Sequence, residues 1–460
     1  MTLNHSLYFH IPFCTHRCAY CDFNTYAGQE EMIPAYVDAL CKEIEFVGNL
    51  SRAATLASHA SARESPMGER RSSDTCTARF AKQIECRCNE TAVEAPMQSH
   101  TIFFGGGTPS LLSPKQFESI FKTLRDNFIF TDDAEITIEA NPGTVSYENL
   151  LELRKIGINR ISYGVQSANT EELHMLERAH NFFDVIEAVT SARKAGFKNL
   201  NLDLIYGLPE QTLSTWQTTV KRILDLRPEH ISAYALTLEH GTPFGRWSSR
   251  GLLPLPDPDL AADMYEWVGE TLEANGYVQY EISNWAKNVE SQMSNAQPST
   301  FDPSTNSGQA LRPLTPTFAC RHNLQYWHCL PYLAFGAGAH GYANGYRYSN
   351  ILRIKTYIER LDTVNWPLAT AFPLTPATVN HHKQTLKDDI SEYMLNNLRL
   401  VKAGASNADF KSRFGCGLMD VYAAEVEELI RFGLLEWNGD SIKLTKRGRL
   451  LGNQVFVRFV

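Results

Sequence analysis

Short apolar runs alternate with amphipathic segments along the first half of the chain. Six runs rich in Ile, Val, Tyr and Phe have the length and composition of buried strands. They are Ser6–Ile11, Thr101–Phe104, Glu135–Ala140, Arg160–Gln166, Asn199–Tyr206 and His230–Leu236. Between most of them, apolar residues recur at helical spacing in Met32–Val47, Pro114–Asn127, Tyr147–Lys155, Phe183–Ala195 and Leu213–Leu226. The alternation predicts an α/β fold with right-handed βαβ units and a parallel sheet, open or closed into a barrel, whose functional loops lie at the carboxyl ends of the strands.

Two segments interrupt this pattern and are expected to be surface insertions. The first, about residues 49–100, mixes Ser, Ala, Arg, Glu and Thr without sustained hydrophobic periodicity. The second, about residues 288–317, is turn-rich and of low complexity, with runs such as Asp302–Gly308. Neither composition supplies enough apolar surface to order the segment by itself.

The segment 376–460 differs from what precedes it. Helical patterns at Ile390–Arg399 and Leu418–Phe432 come before two short strand-like stretches, Leu434–Trp437 and Ser441–Thr445, which an Asn-Gly-Asp turn joins. Helices followed by a hairpin predict a small winged-helix-like domain. Such modules often bind nucleic acid, but a packing or docking role is favoured because no basic tract accompanies this one.

Composition and charge narrow the class of protein. The chain has 460 residues, of which 43% are hydrophobic and 20% charged, as is typical of a soluble globular protein with two or three domains. No apolar run reaches the ~18 residues that a membrane-spanning helix needs. Met1–His10 lacks the basic start and apolar stretch of a secretory signal, so the cytoplasm is the expected location. The net charge of -8 argues against a surface whose main role is to bind nucleic acid.

Three of the ten cysteines lie close together in the loop that follows the first predicted strand. Cys14, Cys18 and Cys21 form a C-x3-C-x2-C pattern. Thiolates are soft ligands that suit iron–sulfur clusters and zinc, but a structural zinc site normally has a fourth protein ligand. Three thiols without an obvious fourth fit a four-iron cubane that keeps one iron open to an outside ligand. Structural or zinc-binding cysteines are the less favoured alternative.

The spacing of these cysteines resembles that of the radical S-adenosylmethionine (SAM) superfamily. Within it, Leu7–Cys21 together with Gly105–Ser110 is similar to the oxygen-independent coproporphyrinogen III oxidase family. The resemblance implies a partial (β/α)6 barrel over residues 1–287 and a further segment, residues 318–375, that packs on the barrel. It also implies that the three cysteines hold a 4Fe-4S cluster, with SAM on the open iron.

The same resemblance implies which residues hold SAM. They comprise Tyr8, Tyr20, Gly106, Gly107, Thr108, Glu139, Gln166, Arg178 and Asp203. In the family the glycine turn contacts the methionine amino group, while Arg178 suits the SAM carboxylate and Asp203 another polar group. An inward carboxylate such as Glu139 is costly unless it meets a cation or a hydrogen-bond donor, which favours a ligand contact. The alternatives are an ordinary tight turn for the glycines and support of the barrel mouth for the polar residues.

Two departures from the oxidase pattern indicate another branch of the family. The oxidases carry a further cysteine two positions after the third cluster cysteine, where this chain has Phe23. They also have a longer segment ahead of the cluster, whereas thirteen residues precede Cys14 here. Both departures are similar to the HemW branch, whose members are regarded as heme chaperones.

A second motif supports that branch. Arg321–Trp327 fits the H-N-x-x-Y-W signature associated there with heme binding. The resemblance implies His322 as an axial ligand to heme iron, with Tyr326 and Trp327 covering a porphyrin face and Arg321 meeting a propionate. Competing ligands are Cys320, His328, Cys329 and His340. The alternative is that His322 forms hydrogen bonds in the core and that the two aromatic residues only pack.

The expected function is therefore heme binding and delivery to an acceptor protein. The scaffold would hold a 4Fe-4S cluster and SAM, and an electron donor would serve the cluster. The alternative is an oxygen-independent coproporphyrinogen III oxidase of porphyrin biosynthesis. A nucleic-acid-modifying enzyme is a distant third.

Overall fold

The structure is a computed structural model of the chain, and it describes residues 5–63, 97–288, 315–362 and 371–460. Its strands are β1 His5–Ile11, β2 Phe13–Cys14, β3 Tyr26–Ala27, β4 Gln98–Gly106, β5 Ile129–Ala140, β6 Arg160–Gln166, β7 Leu200–Tyr206, β8 His230–Ala235, β9 Tyr277–Glu281, β10 Asn284–Lys287, β11 Tyr332–Phe335, β12 His340–Ala343, β13 Tyr346–Asn350, β14 Thr378–Lys383, β15 Ala405–Ser406, β16 Leu435–Trp437 and β17 Ser441–Leu444. Its helices are α1 Ile33–Arg63, α2 Pro114–Asn127, α3 Tyr147–Ile156, α4 Thr170–Met175, α5 Phe182–Lys194, α6 Leu213–Asp225, α7 Pro243–Ser249, α8 Pro258–Ala274, α9 Arg321–Trp327, α10 Ile354–Leu361, α11 Leu386–Asn397, α12 Asn407–Phe414, α13 Leu418–Arg431, α14 Lys446–Leu450 and α15 Gly452–Phe456. Among the helices in the described ranges, none combines the length and the apolar surface that a bilayer crossing requires.

One sheet of 12 strands organises most of the chain. Its middle consists of six parallel strands that lie side by side in chain order, β1, β4, β5, β6, β7 and β8. They coincide with the six apolar runs, and at least one helix lies between each strand and the next. The predicted α/β architecture of βαβ units is therefore confirmed.

Side chains alternate between two faces along the parallel strands. Phe9, Ile102 and Ile161 are fully buried on the outward face and belong to one apolar core with the helices. The inward face is polar, as shown by His230 on β8, whose Nδ1 lies 2.6 Å from Oδ1 of Asn201 on β7. Parallel strands that are covered on both faces are usually apolar throughout. A polar inner face therefore marks the inside of the curved sheet as the place where function requires polar groups.

The strands of the segment 318–375 extend this sheet, and its helix α10 packs into the same apolar core. β11 pairs in parallel with β1, with Leu333 opposite Leu7. β12, β13 and β14 then add on in antiparallel order. Because β14 belongs to the large sheet, the domain boundary expected at residue 376 has to move to the residues just before α11.

Both ends of the first expected insertion have regular secondary structure. α1 continues to Arg63 and β4 begins at Gln98, so the segment 49–100 is largely regular at its two ends. Residues 49–63 contain several Ala and Leu, whose helix propensity extends α1 although the hydrophobic periodicity has ended. The remainder, residues 64–96, and residues 289–314 of the second insertion lie outside the described residues.

Helices begin where the sequence supplies capping residues. Before α2, the Ser113 hydroxyl accepts the Gln116 N–H, and the Gln116 side chain accepts the Ser113 N–H at 2.7 Å. Before α5, Asn181 forms the same reciprocal arrangement with Asp184. Such caps satisfy N–H groups that the first helical turn leaves without partners, which fixes where the chain turns back from each strand.

The C-terminal unit comprises α11 to α15 and a small sheet in the order β15-β17-β16. The hairpin β16–β17 turns at the Asn-Gly-Asp sequence, where Gly439 has a φ of 93°. A separate apolar core that includes Tyr393, Phe410 and Leu429 holds the unit together. Helices followed by a small hairpin are what the sequence predicts for this region.

Arg399, just after α11, connects the C-terminal unit to the large sheet. Its guanidinium lies 4.4 Å from the centre of the Trp327 ring, and its Nη2 lies 3.6 Å from Oε2 of the fully buried Glu281. Burial raises the pKa of Glu281, and the Arg399 charge acts against that rise. The ion pair therefore makes the two units depend on each other.

We expect Arg399→Met to lower the free energy of unfolding by about 2 kcal/mol, because a buried carboxylate loses its cation and Trp327 loses a cation–π contact. Denaturant unfolding followed by tryptophan fluorescence measures the change. The control is Arg431→Met at the exposed end of α13, which is expected to stay within about 0.5 kcal/mol of the unaltered protein. Equal stabilities of the two variants would contradict the role assigned to Arg399.

Candidate functional site

A cavity of about 470 Å³ opens at the carboxyl ends of the parallel strands. Nearly all of the residues that the sequence predicts to bind the cluster and SAM line this cavity. Its lining includes Cys14, Cys18, Tyr20, Cys21, Gly106, Gly107, Thr108, Glu139, Gln166, Arg178 and Asp203. Residues far apart in the chain meet here because strands that run in parallel bring their ends to one edge of the sheet.

Three thiols face this cavity from the loop after β1. Cys14 is buried at the end of β2, whereas Cys18 and Cys21 are half-buried. The Thr108 hydroxyl lies 3.6 Å from Cys14 Sγ, and the Arg178 guanidinium lies 3.5 Å from Cys18 Sγ. Burial raises the pKa of the Cys14 thiol, and both of these neighbours act against the rise. The site therefore supplies donors and a positive charge, the groups that stabilise thiolates.

The three thiols do not form a site for a single metal ion. Among the described residues, no group of three or more His, Cys, Asp or Glu side chains has the arrangement that holds one. A cubane binds each thiolate through a different iron and so accommodates greater separation between the sulfurs. Three thiols at one end of a polar cavity therefore fit a four-iron cluster better than zinc.

The glycine turn at the end of β4 packs directly against the cysteine loop. Gly107 N–H donates to the Ile11 carbonyl at 2.8 Å, and Thr108 N–H donates to the Phe13 carbonyl at 2.7 Å. A Cβ at Gly107 would lie 2.5 Å from the Phe13 carbonyl oxygen, and Gly106 has a φ of 110°. Both glycines are therefore required for the close approach of the two segments, besides lining the cavity.

Two carboxylates lie on the inner face of the sheet, on strands that β6 separates. Glu139 at the end of β5 accepts the Gly106 N–H at 3.1 Å. Asp203 on β7 accepts hydrogen bonds from Ser162 and from Asn201, each at 2.8 Å. Burial, together with the nearby negative charge of Asp203, raises the pKa of Glu139 to about 8. A cation bound beside Glu139 would therefore favour the ionised form of this carboxyl and lower its pKa.

Arg178 lies between the cysteine loop and the end of β6. Its Nη2 donates to the Gly164 carbonyl at 2.6 Å and to Asn141 Oδ1 at 2.5 Å, while its Nε has no partner among the described residues. Gln166 ends β6 with a φ of 66°, which is strained for a residue with a side chain. A strained backbone of this kind is retained where contacts with neighbouring residues hold it in place, as happens at binding sites.

The two tyrosines that are predicted to bind SAM lie at different places. Tyr20 lines the cavity, beside Phe244. Tyr8 is not among the lining residues: its hydroxyl lies 3.0 Å from His10 Nδ1, and its ring stacks on Phe103. Tyr20 is therefore placed to contact a ligand in the cavity, whereas Tyr8 lies beneath the residues that line the cavity.

Sequence reasoning missed several polar residues that line the cavity. Asn141, Ser162 and Tyr234 all belong to it. Asn141 stands two positions after Glu139, just past the end of β5, and Ser162 stands at an inward position of β6, so strand alternation was the signal that could have found them. The same alternation places Tyr234 on the inward face of β8, together with His230 and Ser232.

The H-N-x-x-Y-W segment forms α9 at the opposite end of the sheet. The Glu135 carboxylate accepts the N–H groups of Arg321 and His322, each at 3.1 Å, and so caps the helix. Glu135 lies in the middle of β5, opposite Thr101, whereas Glu139 lines the cavity at the carboxyl end of that strand. Two separate regions therefore carry the cluster motif and the heme motif.

The His322 ring is enclosed and both of its nitrogens have partners. Only 1% of the residue is exposed, and burial lowers its pKa to about 3, so the ring is neutral. Nδ1 lies 2.9 Å from Thr101 Oγ1 and Nε2 lies 2.8 Å from the Tyr326 hydroxyl. Since the Thr101 hydroxyl donates to Ser6, Nδ1–H donates to Thr101, and the Nε2 lone pair accepts from Tyr326.

The other nominated heme residues are also engaged in the protein. Arg399 covers the Trp327 ring, and Arg321 donates to the Asp133 side chain at 3.1 Å. Tyr326 and Trp327 border a smaller cavity of about 200 Å³ that also contains Cys329. Of the competing ligands, Cys320 is buried near Glu135 and His340 is exposed. In the structure, His322 therefore forms hydrogen bonds in the core and the two aromatic residues pack against their neighbours.

Comparison with known proteins shows which families this chain is similar to. The family model "Radical SAM superfamily" matches residues 87–223, and the model "HemN C-terminal domain" matches residues 384–451. The first match begins after the cysteine loop, so the three thiols lie outside it. The second match begins where the structure begins the C-terminal unit.

Full-length relatives decide the family. The heme chaperone HemW of Lactococcus lactis is 32% identical over 455 residues, which is 99% of this chain and 97% of the relative. The chain belongs to the HemW family. HemW of Bacillus subtilis is also 32% identical, over 99% of both chains. HemW of Escherichia coli is 31% identical, over 99% of this chain and 98% of the relative.

The fold of this HemW family member is shared with an oxidase. The solved structure of coproporphyrinogen III oxidase (HemN) from Escherichia coli matches with a TM-score of 0.69 at 23% identity, over 99% of this chain and 90% of that one. The likeness shows the common fold, including the radical SAM part and the C-terminal unit. The predicted resemblance to this family and to its HemW branch is confirmed.

Proposed function

We propose that the protein binds heme and delivers it to acceptor proteins, on a scaffold that also binds a 4Fe-4S cluster and SAM. The observation that carries the proposal is the similarity to relatives named heme chaperones along nearly the entire chain. The position of Phe23, which is exposed beside the cysteine loop where the oxidases have a further cysteine, supports it.

For the cofactors, we assign the cluster to Cys14, Cys18 and Cys21. SAM is assigned to the lining residues Tyr20, Gly106, Gly107, Thr108, Glu139, Gln166, Arg178 and Asp203, with Tyr8 supporting them from beneath. A cluster held by these thiols would, when reduced, supply an electron to bound SAM. The residues themselves orient SAM, balance its charges and hold the thiolates.

An electron donor and a heme acceptor are the partners that this function requires. A cluster held by the thiolates of Cys14, Cys18 and Cys21 needs a compartment that keeps thiols reduced. We therefore propose that the protein acts in the cytoplasm.

Titration with heme tests the proposed function. The protein with reconstituted cluster is titrated anaerobically and the Soret band is followed. We expect binding that saturates near a single heme per chain. Weak binding that does not saturate would reject the chaperone function, and coproporphyrinogen III would then be tested as a substrate, with 5'-deoxyadenosine as the product to measure.

His322→Ala, measured in parallel, tests the motif ligand. Iron bound at His322 Nε2 would take the acceptor away from the buried Tyr326 hydroxyl, at a cost of about 1–3 kcal/mol. An unchanged spectrum and affinity in the variant would remove His322 as the ligand.

We expect SAM affinity to increase with pH up to about 8, because the Glu139 carboxyl has a pKa of about 8 and SAM carries positive charge. Binding should release a proton near neutral pH. Calorimetric titration in two buffers of different ionisation enthalpy measures that release. Glu139→Gln should bind SAM more weakly and without the pH dependence, whereas an unchanged pH profile in this variant would assign the dependence to another group.

A further inference from the structure

Several residues at the mouth of the large cavity have no role in the proposed binding of the cluster and SAM. The SAM residues stand at the strand ends in the interior, whereas His16, Arg17 and Phe23 border the same cavity from the cysteine loop. Leu236 and Thr237, just after β8, border it from the opposite side. All three residues of the cysteine loop are exposed to solvent. A ligand at this mouth would cover the cavity.

His16 supplies an accessible imidazole at this mouth. It lies between two of the cluster cysteines, and 55% of its side chain is exposed. Its Nε2 lies 3.3 Å from Glu177 Oε2, a contact between two exposed groups that contributes little and is easily replaced. His322, by contrast, would have to give up a hydrogen bond inside the core. Of these two imidazoles, only that of His16 is open to an iron atom from outside.

The neighbours of His16 suit the rest of a heme molecule. Phe23 leaves 63% of its surface exposed, so its ring is available to cover an apolar porphyrin face. Arg17 is exposed, and its guanidinium makes only long contacts of 3.4 Å to loop carbonyls, so it is available to a carboxylate. Asp22 and Glu239 also line this mouth. Their negative charges repel propionates, so a propionate is favoured at Arg17.

The opposite side of the mouth is apolar. Leu236 packs against a small core that includes Ile205 and Phe244, and Tyr234 beside it is 41% exposed. An imidazole, a guanidinium and apolar surface on two walls are the groups that a heme with two propionates requires.

We propose that heme docks across the mouth of the cluster cavity, with His16 as axial ligand, Arg17 pairing with a propionate and Phe23 against the porphyrin. This inference rests on the proposed function and gives it a site. Heme in this position covers SAM bound in the interior, so SAM leaves more slowly when heme is present.

Heme titration of variants of the full-length, cluster-loaded protein tests the site. We expect His16→Ala to shift the Soret band and to weaken heme binding at least about tenfold. Phe23→Ala, which lies outside the three cysteines, should also weaken it. His240→Ala is the matched control, because His240 is exposed near this region but does not line the cavity. Iron content and cluster absorbance are measured in each variant, so that loss of the cluster is recognised.

Two results would overturn the site without touching the proposed function. One is saturable heme binding that His16→Ala and Phe23→Ala leave unchanged while His322→Ala abolishes it. The other is an unchanged release rate of radiolabelled SAM from the unaltered protein when heme is added, where about tenfold slower release is expected. Failure of the unaltered protein to bind heme saturably would reject the proposed function itself.

Discussion

Replacing Cys18 by Ala is expected to abolish assembly of the four-iron cluster. Three thiols line the cavity, and no further Cys stands among the described residues that line it, so a cubane that loses one of these ligands has no replacement there. The Arg178 guanidinium beside the Cys18 thiol then faces no thiolate. Iron and sulfide content after anaerobic reconstitution, together with the absorbance of the cluster, measure the effect.

Cys41→Ala is the matched control for this prediction. Its thiol is half-buried on α1 and does not line the cavity. The control should assemble a full cluster, and SAM affinity should fall in Cys18→Ala alone, since the cluster and SAM share one cavity. A full complement of iron in Cys18→Ala would reject the assignment of the three cysteines.

Replacing Glu43 by Ala is expected to destabilise the protein by about 4 kcal/mol or more, because it leaves several buried donors without an acceptor. The fully buried Glu43 carboxylate on α1 accepts hydrogen bonds from four groups of the sheet extension. They are Gly336 N–H at 2.8 Å, Tyr357 Oη at 2.7 Å, Asn350 Nδ2 at 2.7 Å and Thr375 Oγ1 at 3.0 Å. Denaturant unfolding of the full chain measures the loss.

Two further variants make the Glu43 prediction specific. Glu43→Gln keeps one acceptor oxygen and should lose less stability than Glu43→Ala. Glu45→Ala removes an exposed carboxylate two residues away and should change stability by no more than about 0.5 kcal/mol. A loss in Glu43→Ala no larger than that of Glu45→Ala would contradict the role of Glu43 in joining α1 to the sheet extension.

The Glu43 prediction also has a pH dependence with a definite sign. Burial raises the pKa of this carboxyl, against the effect of its four hydrogen bonds. A raised pKa in the folded state means that the folded chain holds the proton more tightly than the unfolded chain does. The contribution of Glu43 is therefore full below its unfolded pKa and decreases as pH rises through the folded value. Glu43→Gln should lack this decrease.

Much of the fold and of the cluster site could be predicted from the sequence, because the determining interactions are local or periodic. Apolar runs that alternate with amphipathic segments identified all six parallel strands, and spacing identified the three thiols. Parallel strands then bring Glu139 and Asp203 to one cavity. Arg178, which lies after α4, reaches the same cavity through its hydrogen bonds to Asn141 and Gly164. The boundary at residue 376 could not be found in this way, since the pairing of β14 with β13 depends on residues distant in the chain.

The sequence by itself determined the α/β architecture, the cysteine loop and the helix starts, since each depends on residues that are neighbours in the chain or repeat at a fixed period. Only the tertiary structure decided the surroundings of individual side chains. The heme motif gave no sign that Thr101 and Tyr326 occupy both nitrogens of His322, or that His16 is open at the cavity mouth. Burial and hydrogen bonding between distant residues are set by how the strands and helices pack, and a local motif does not encode that packing.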